Sequence, residues 1–185
     1  MISTSGTTGD VKYVKLSREN LLDNTKNISD TLKISSKDCS ITTMPPYYSY
    51  ALSIINTHLF KGASIVINNY SLIDKNFWLL FEKKKPNNIN GVPYIYEILR
   101  KIKFDKFDLS SLRYITQAGG KLDEVSKDYL INICNKNKIK FFIMYGQTEA
   151  SPRISILPHQ LLKKYPDSVG YALKGSRVWL KNKFK

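Results

Sequence analysis

Hydroxyls and glycines crowd the amino-terminal stretch Ser3-Thr4-Ser5-Gly6-Thr7-Thr8-Gly9-Asp10-Val11-Lys12. Glycine lets backbone amides approach an anion closely. Hydroxyls add donors, and a lysine adds a mobile positive charge. Such a loop can wrap a polyphosphate. It is not the nucleotide loop spaced G-x-x-x-x-G-K-[ST], because Gly6 and Gly9 are too close together and no hydroxyl follows Lys12. By composition alone, a flexible Ser/Thr/Gly terminus explains it equally well.

Three further runs carry glycine, aromatic or hydroxyl residues rather than ordinary turn filler. They are Pro45-Pro46-Tyr47-Tyr48-Ser49, Gln117-Ala118-Gly119-Gly120-Lys121 and Tyr145-Gly146-Gln147-Thr148-Glu149. Each follows a strand-like segment. Ligands in open α/β sheets bind beyond the carboxyl ends of the strands, so the three runs can share one rim. Plainer readings stand beside these: Tyr145 as core, Glu149 as a solvated loop acid, Tyr48 as packing at the sheet edge, Lys12 as a surface lysine.

The elements that would position these runs alternate between strand and helix. Val11 to Lys15 reads as a short strand. Ser17 is an N-cap, with Glu19 in the first turn. Leu21, Thr25, Ile28 and Leu32 share the following helical face. Cys39 to Met44 is a strand stopped by Pro45 and Pro46. Tyr50 to Lys61 is a helix closed by Gly62. Ala63 to Ile67 is a buried strand, and Asp74 to Lys84 a helix. Asn88 to Val92 is a weaker strand signal. Pro93 suits a helix start, with Ile95, Ile98, Leu99 and Ile102 as its stripe. Leu112 to Thr116 is a strand, and Leu122 to Lys136 a helix with Val125, Tyr129 and Ile133 on one face. Ile139 to Met144 is an apolar strand, and Val169 to Leu180 holds one or two more. This order predicts an α/β fold, with a mostly parallel sheet flanked by helices.

Composition bounds the function. The chain has 185 residues, a formal net charge of +14 and a pI near 9.7. Its lysines are spread among Asn and Ile, with Lys83, Lys84 and Lys85 the only run of three. No basic stripe interleaved with aromatics is present, which argues against nucleic acid as a partner. Two cysteines, Cys39 and Cys134, make no disulfide framework, and no Cys/His spacing suggests zinc. No apolar run approaches the ~20 residues of a membrane span. The first residues do not form a secretory signal. A cytoplasmic protein in a reducing compartment is the expectation. His58 and His159 read as structural.

The combination and order of the four runs is similar to the signature set of the adenylate-forming superfamily: acyl-CoA synthetases, peptide-synthetase adenylation domains and luciferase. Ser3 to Lys12 resembles the phosphate-binding signature, and Met44-Pro45-Pro46-Tyr47-Tyr48 the loop bordering the acyl pocket. Gln117 to Leu122 resembles the adenine loop, Tyr145 to Glu149 the Y-G-x-T-E motif, and Val169-Gly170-Tyr171-Ala172 the glycine turn that follows. The resemblance implies joining of a carboxylate to ATP, with release of pyrophosphate and formation of an acyl-adenylate. Coenzyme A or a carrier-protein thiol is then a possible acceptor. It implies that Thr4, Ser5, Gly6, Thr7, Thr8, Gly9 and Lys12 hold the β and γ phosphates. It places Tyr145 on adenine opposite Ala118, Gly119 and Gly120, with Gly146 and Gln147 in the nucleotide site. Thr148 would bond the α phosphate, Glu149 would bind Mg²⁺, and Tyr47 and Tyr48 would border the acyl group. Thr148, Glu149 and Lys12 are the catalytic candidates.

Three positions depart from the superfamily pattern: Val11 for a proline, Tyr13 for a glycine and Lys121 for a proline. The superfamily also has a segment before the phosphate loop, and a small domain with a catalytic lysine after the glycine turn. Residues 1–180 are therefore expected to be the central part of the large N-terminal adenylation domain, with 181–185 as a tail. Its sheet is expected to expose an edge, leaving the chain marginal, aggregation-prone or reliant on a partner chain for the missing parts. An acid-activating ligase piece, a catalytically inactive nucleotide-binding remnant and a basic interaction module remain the alternatives. The acyl group and the acceptor are not legible.

Overall fold

The computed structural model describes residues 2–4 and 12–179. β1 (Ile2–Thr4) and β2 (Lys12–Val14) form an antiparallel ribbon, pairing Ile2 with Val14 and Thr4 with Lys12. The main sheet follows after α1 (Arg18–Thr31). Its strands are β3 (Cys39–Ile41), β4 (Ser64–Val66), β5 (Asn88–Gly91), β6 (Tyr114–Gln117), β7 (Lys140–Gly146), β8 (Arg153–Leu157) and β9 (Tyr171–Ala172). Between them run α2 (Ser49–Phe60), α3 (Lys75–Lys84), α4 (Pro93–Lys101) and α5 (Glu124–Lys136). The spatial order is β4-β3-β5-β6-β7-β8-β9. The strands from β4 to β7 pair in parallel, while β8 and β9 are antiparallel.

Local chemistry explains the helix starts. The Ser17 hydroxyl accepts from the Asn20 amide at 3.1 Å, and the Asn20 side chain accepts from the Ser17 amide at 3.2 Å, closing a capping box. Asp74 and Asp123 cap α3 and α5, and Pro93 begins α4, where no amide donor is missed. Gly62 turns the chain after α2 with φ +65°, a left-handed conformation that glycine adopts without penalty.

Alternation along the strands divides the core in two. Ile41, Ile89, Ile115 and Phe141 pack against Phe77, Phe81, Tyr96, Leu99 and Leu130 from α3, α4 and α5. Tyr114, Met144 and Ile156 face the other way, toward Ile28 of α1 and Tyr50 of α2. A polar ladder runs through the middle of the sheet. Asn90 donates to Ser40 Oγ at 3.0 Å and to Asn88 Oδ1 at 2.7 Å, and Thr116 donates to Asn90 Oδ1 at 2.5 Å. Asn88 donates to His58 Nε2, and His58 Nδ1 meets the Ile54 carbonyl at 2.8 Å. Those partners suit a neutral imidazole protonated at Nδ1.

Several sequence expectations need correction. Ala63 to Ile67 is not a buried strand: β4 lies at the sheet edge, and Ile67 is 78% exposed. The weak signal at Asn88 belongs to a fully buried interior strand, its polar side chains satisfied by the ladder. Of the expected α5 stripe, Ile133 is buried and Tyr129 packs partly against the core, but Val125 is 65% exposed, because the helix turns Leu130, Ile131 and Cys134 inward as well. The strand at Cys39 ends at Ile41. β8 was unforeseen, since Arg153 and two serines in and before it break its apolar run. From Val169 onward only Tyr171–Ala172 forms a strand among the described residues.

Asp38 ties the amino-terminal rim together. Its carboxylate accepts from the Ser35 amide at 2.7 Å, from Asn87 Nδ2 at 2.8 Å and from Arg113 Nη2 at 2.7 Å. Burial alone would raise its pKa, but the Ser35 amide and the Arg113 guanidinium outweigh burial and hold it below the usual carboxylate value. Burial holds His58 below the usual imidazole value. In both cases the unfolded chain binds more protons than the folded one, so stability falls as pH falls. Urea unfolding is expected to show stability intact at pH 7, declining through the imidazole and then the carboxylate range. Asp38→Asn is expected to lose about 2 kcal/mol at pH 7 and to flatten the lower part of that decline.

Candidate functional site

The carboxyl ends of β6 and β7 open on a cleft of about 760 Å³, which the start of α2 also borders. The run after β6 supplies Gln117, Ala118, Gly119, Gly120 and Lys121 to its wall, and the end of β7 supplies Tyr145 to Glu149. Tyr48, Ser49 and Tyr50 enter from the start of α2, and Lys12 from β2. Thus three of the four runs selected by residue type do share one rim. Ser5, Gly6, Thr7, Thr8 and Gly9 lie outside the described residues. The backbone of Thr4 pairs with that of Lys12. Tyr47 does not line the cleft and is 75% exposed.

Close backbone contacts shape the cleft. Gly119 has φ +86°, and a Cβ there would lie 2.8 Å from the Tyr48 hydroxyl. Glycine takes that positive φ without strain, and a side chain there would make the Tyr48 ring shift. Gly146 sits where the pairing of β7 and β8 shifts register. A Cβ on it would run into the Pro152 carbonyl and come within 2.9 Å of Arg153 Cα. The chain then enters the 3₁₀ segment Thr148–Ala150. The Thr148 hydroxyl there lies 2.9 Å from that of Ser49, linking the loop to the start of α2. Glu149 is exposed on the cleft wall, and Tyr145 presents a half-exposed ring.

The walls carry four basic side chains, Lys12, Lys121, Lys127 and Arg153, against two acids, Glu149 and Asp167. Lys121 pairs with Asp167 at 2.9 Å. Its pKa is raised by the Asp167 carboxylate, and that of Asp167 is lowered by Lys121. Both ends are largely exposed, so the pair adds little stability; it bridges the loop after β6 to the segment before β9. Lys127 is buried and donates to the Pro166 carbonyl at 3.0 Å. The net positive wall with exposed glycine backbone suits an anion of high charge density. Among the described residues no three His, Cys, Asp or Glu side chains gather into a metal cage. Glu149 with the neighbouring Thr148 hydroxyl suits a hard cation that arrives with phosphate and water ligands of its own.

Lys127, Asp167 and Arg153 also line the cleft and were not singled out from the sequence. Ser49 closes a run already selected. Arg153, a lone charge heading the strand Arg153–Leu157, was the available signal for a buried cation. Lys127 and Asp167 look like any surface pair. His58 and His159 lie outside the cleft, as expected: His58 serves the polar ladder, and His159 Nδ1 accepts from the Phe141 amide at 3.2 Å.

Residues 1–183 match the sequence profile described as AMP-binding enzyme. The chain is 25% identical over 182 residues to the medium-chain fatty-acid–CoA ligase of Escherichia coli strain K12, covering 96% of this chain and 31% of that protein. Among solved structures it is similar to VinN in complex with L-aspartate, at 27% identity and a TM-score of 0.81, over 94% of this chain and 43% of that one. It shares the fold of the o-succinylbenzoate coenzyme A synthetase of Bacillus subtilis in complex with ATP and magnesium ion. There the identity is 20% and the TM-score 0.82, over 100% of this chain and 37% of that one. The chain spans 28–31% of the length of the curated relatives named first among its matches. No helix among the described residues is long and apolar enough to cross a membrane.

Gly146→Ala tests the shaping of the cleft. The added methyl must push β8 from β7 or distort the bulge, so a loss of about 3 kcal/mol is expected. Thermal unfolding reads this, and a melt unchanged from wild type would show that the approach of the strands can relax at no cost.

Proposed function

The chain belongs to the AMP-binding enzyme family, and from that premise we propose that its cleft binds ATP with Mg²⁺ and a carboxylic acid for activation to an acyl-adenylate. The observation that carries this reading is the single cleft lined by both the Gln117–Lys121 run and the Tyr145–Glu149 run, with Lys12 on the same wall. In this reading residues 1–180 are the central part of an adenylation domain, and remaining parts are supplied by further chain or by a partner.

In this reading each signature run has a role. The half-exposed Tyr145 ring stacks on adenine, while Ala118, Gly119 and Gly120 flank it with backbone and no bulk. Gly146 and Gln147 shape the same wall. Thr148, whose hydroxyl lies 2.9 Å from that of Ser49, donates to the α phosphate. Thr4, Ser5, Gly6, Thr7, Thr8, Gly9 and Lys12 hold the β and γ phosphates, and Glu149 holds Mg²⁺. Bound there, the cation neutralises phosphate charge that builds up as the reaction proceeds. An acid oxygen bordered by Tyr48, and more distantly by Tyr47, attacks the α phosphorus. The α–β bridging P–O bond breaks and pyrophosphate departs. Transfer of the acyl group to coenzyme A or a carrier-protein thiol is the downstream step of the proposal.

Mg-ATP is expected to raise the melting temperature of the chain. Glu149→Ala is expected to remove most of that rise, and His159→Ala to keep it relative to its own melt. No rise in the wild type would overturn nucleotide binding, and equal effects of the two variants would remove Glu149 from the metal site. Carboxylate-dependent ATP–pyrophosphate exchange then separates an active ligase piece from an inactive remnant.

A further inference from the structure

The chain between the 3₁₀ segment His159–Leu161 and β9 runs along the cleft. Both of its ends are fixed. Leu162 is fully buried in the core. At the other end Gly170 has φ +81°, and a Cβ on it would run into the Ile156 carbonyl. The Ser155 hydroxyl of β8 also donates to the Val169 carbonyl at 2.8 Å. Residues 163–167, between those anchors, are exposed. Pro166, Asp167, Ser168 and Val169 line the same cleft as Lys121 and Lys127.

Two lysines hold the middle of this segment. Lys121 Nζ lies 2.9 Å from Asp167 Oδ1, and Lys127 in the first turn of α5 donates to the Pro166 carbonyl at 3.0 Å. β7 and β8 lie between β6 and β9 in the sheet, so these contacts carry the segment past two strands to the loop after β6. The loop end is itself braced, because the buried Gln117 donates to the Gly120 carbonyl at 2.8 Å. The two ties differ in kind. Lys127 is 4% exposed, and its bond is shielded from solvent. The Lys121 and Asp167 side chains are 74% and 68% exposed, an ion pair in water that salt screens. A weak tie across a cleft wall opens and recloses, where a strong one would lock. Lys121 also stands where the superfamily pattern has a proline, which offers no cation, so this tie belongs to the chain itself.

We propose that residues 163–169 form a strap whose ionic tie, Lys121 with Asp167, gates nucleotide access to the cleft. Leu162 and Gly170 are its fixed points, and Asp167 leaves Lys121 when it opens. The strap closes over the free and the filled cleft alike. It therefore sets the rates of association and dissociation together and leaves affinity nearly unchanged. This inference rests on the nucleotide-binding reading of the cleft and names a regulation of that site.

The test has two arms, both on the full chain. In the first, hydrogen exchange of the peptide spanning residues 163–169 is read by mass spectrometry from about 0.01 M to about 1 M salt, a range over which screening shortens electrostatic reach about ten-fold. Asp167→Asn is expected to raise exchange about two- to five-fold at low salt, the scale of one exposed pair, and to match the wild type at high salt. Lys121→Asp is expected to raise it further by facing two carboxylates. Combining Lys121→Asp with Asp167→Lys keeps the net charge and is expected to restore wild-type exchange. In the second arm, stopped-flow mixing with Mg²⁺ and mant-ATP, a ribose-labelled fluorescent nucleotide, is expected to show both rates raised about two- to five-fold in Asp167→Asn at low salt, with the dissociation constant changed less than either rate. The charge-reversed double variant is expected to return both rates to the wild-type values. Exchange that ignores salt, a double variant that restores nothing, or nucleotide rates unchanged in Asp167→Asn overturns the gate. The parent reading fails separately: exchange that follows the ion pair, with no mant-ATP bound by any variant, would keep the strap and remove the nucleotide from the cleft.

Discussion

A buried carboxylate at the amino-terminal rim sets the geometry on which the cleft depends. Asp38 precedes β3, Asn87 precedes β5 and Arg113 precedes β6, and the three side chains meet at Asp38 Oδ1. Each strand advances about 3.3 Å per residue. Fixing three strand starts together therefore fixes where their carboxyl ends emerge. A slip of one residue would send alternate side chains to the opposite face. It would exchange Tyr114 with Ile115 between the two cores and break the ladder from Ser40 to Thr116. The position of the loop after β6 is thus decided at the far end of the sheet.

The interior of that sheet is unusually polar for parallel strands, which ordinarily read as continuous aliphatic runs. Ser40, Asn88, Asn90 and Thr116 are buried and satisfy one another, with Tyr50 and His58 closing the chain of bonds from α2. A fully paired network of this kind rewards one register over its neighbours, because a displaced amide would be buried without a partner. Tyr114 and Arg153 are the side chains left incomplete among the described residues, and they neighbour each other.

Helix boundaries were the most legible part of the sequence, because their signals are local. Ser17, Asp74, Pro93 and Gly62 each act within a few residues of where they stand. The parallel class followed from the alternation of elements, and the shared rim from the class. Which strands lie inside was not legible. β5 reads weakly because its burial is sustained by asparagine bonding across strands, and β4 reads as interior although it lies at the edge. The helical stripe of α5 was misjudged at Val125 because packing there runs through Leu130 and Cys134. In the cleft, glycine and aromatic runs announced themselves. Arg153 did so only as a lone charge at a strand start, since its burial against the Tyr50 ring arises in three dimensions.

The outer side of β4 carries a consequence for the molecule in bulk solution. Among the described residues it has a neighbour on one flank only, so peptide groups on its other flank are open to water. The formal charge of +14 makes two such molecules repel at neutral pH. That repulsion reaches only about 8 Å at physiological ionic strength and about 3 Å in molar salt. Colloidal behaviour is thereby coupled to the ionic medium: the same counter-ions that calm the lysine-rich exterior let strand flanks of separate molecules meet.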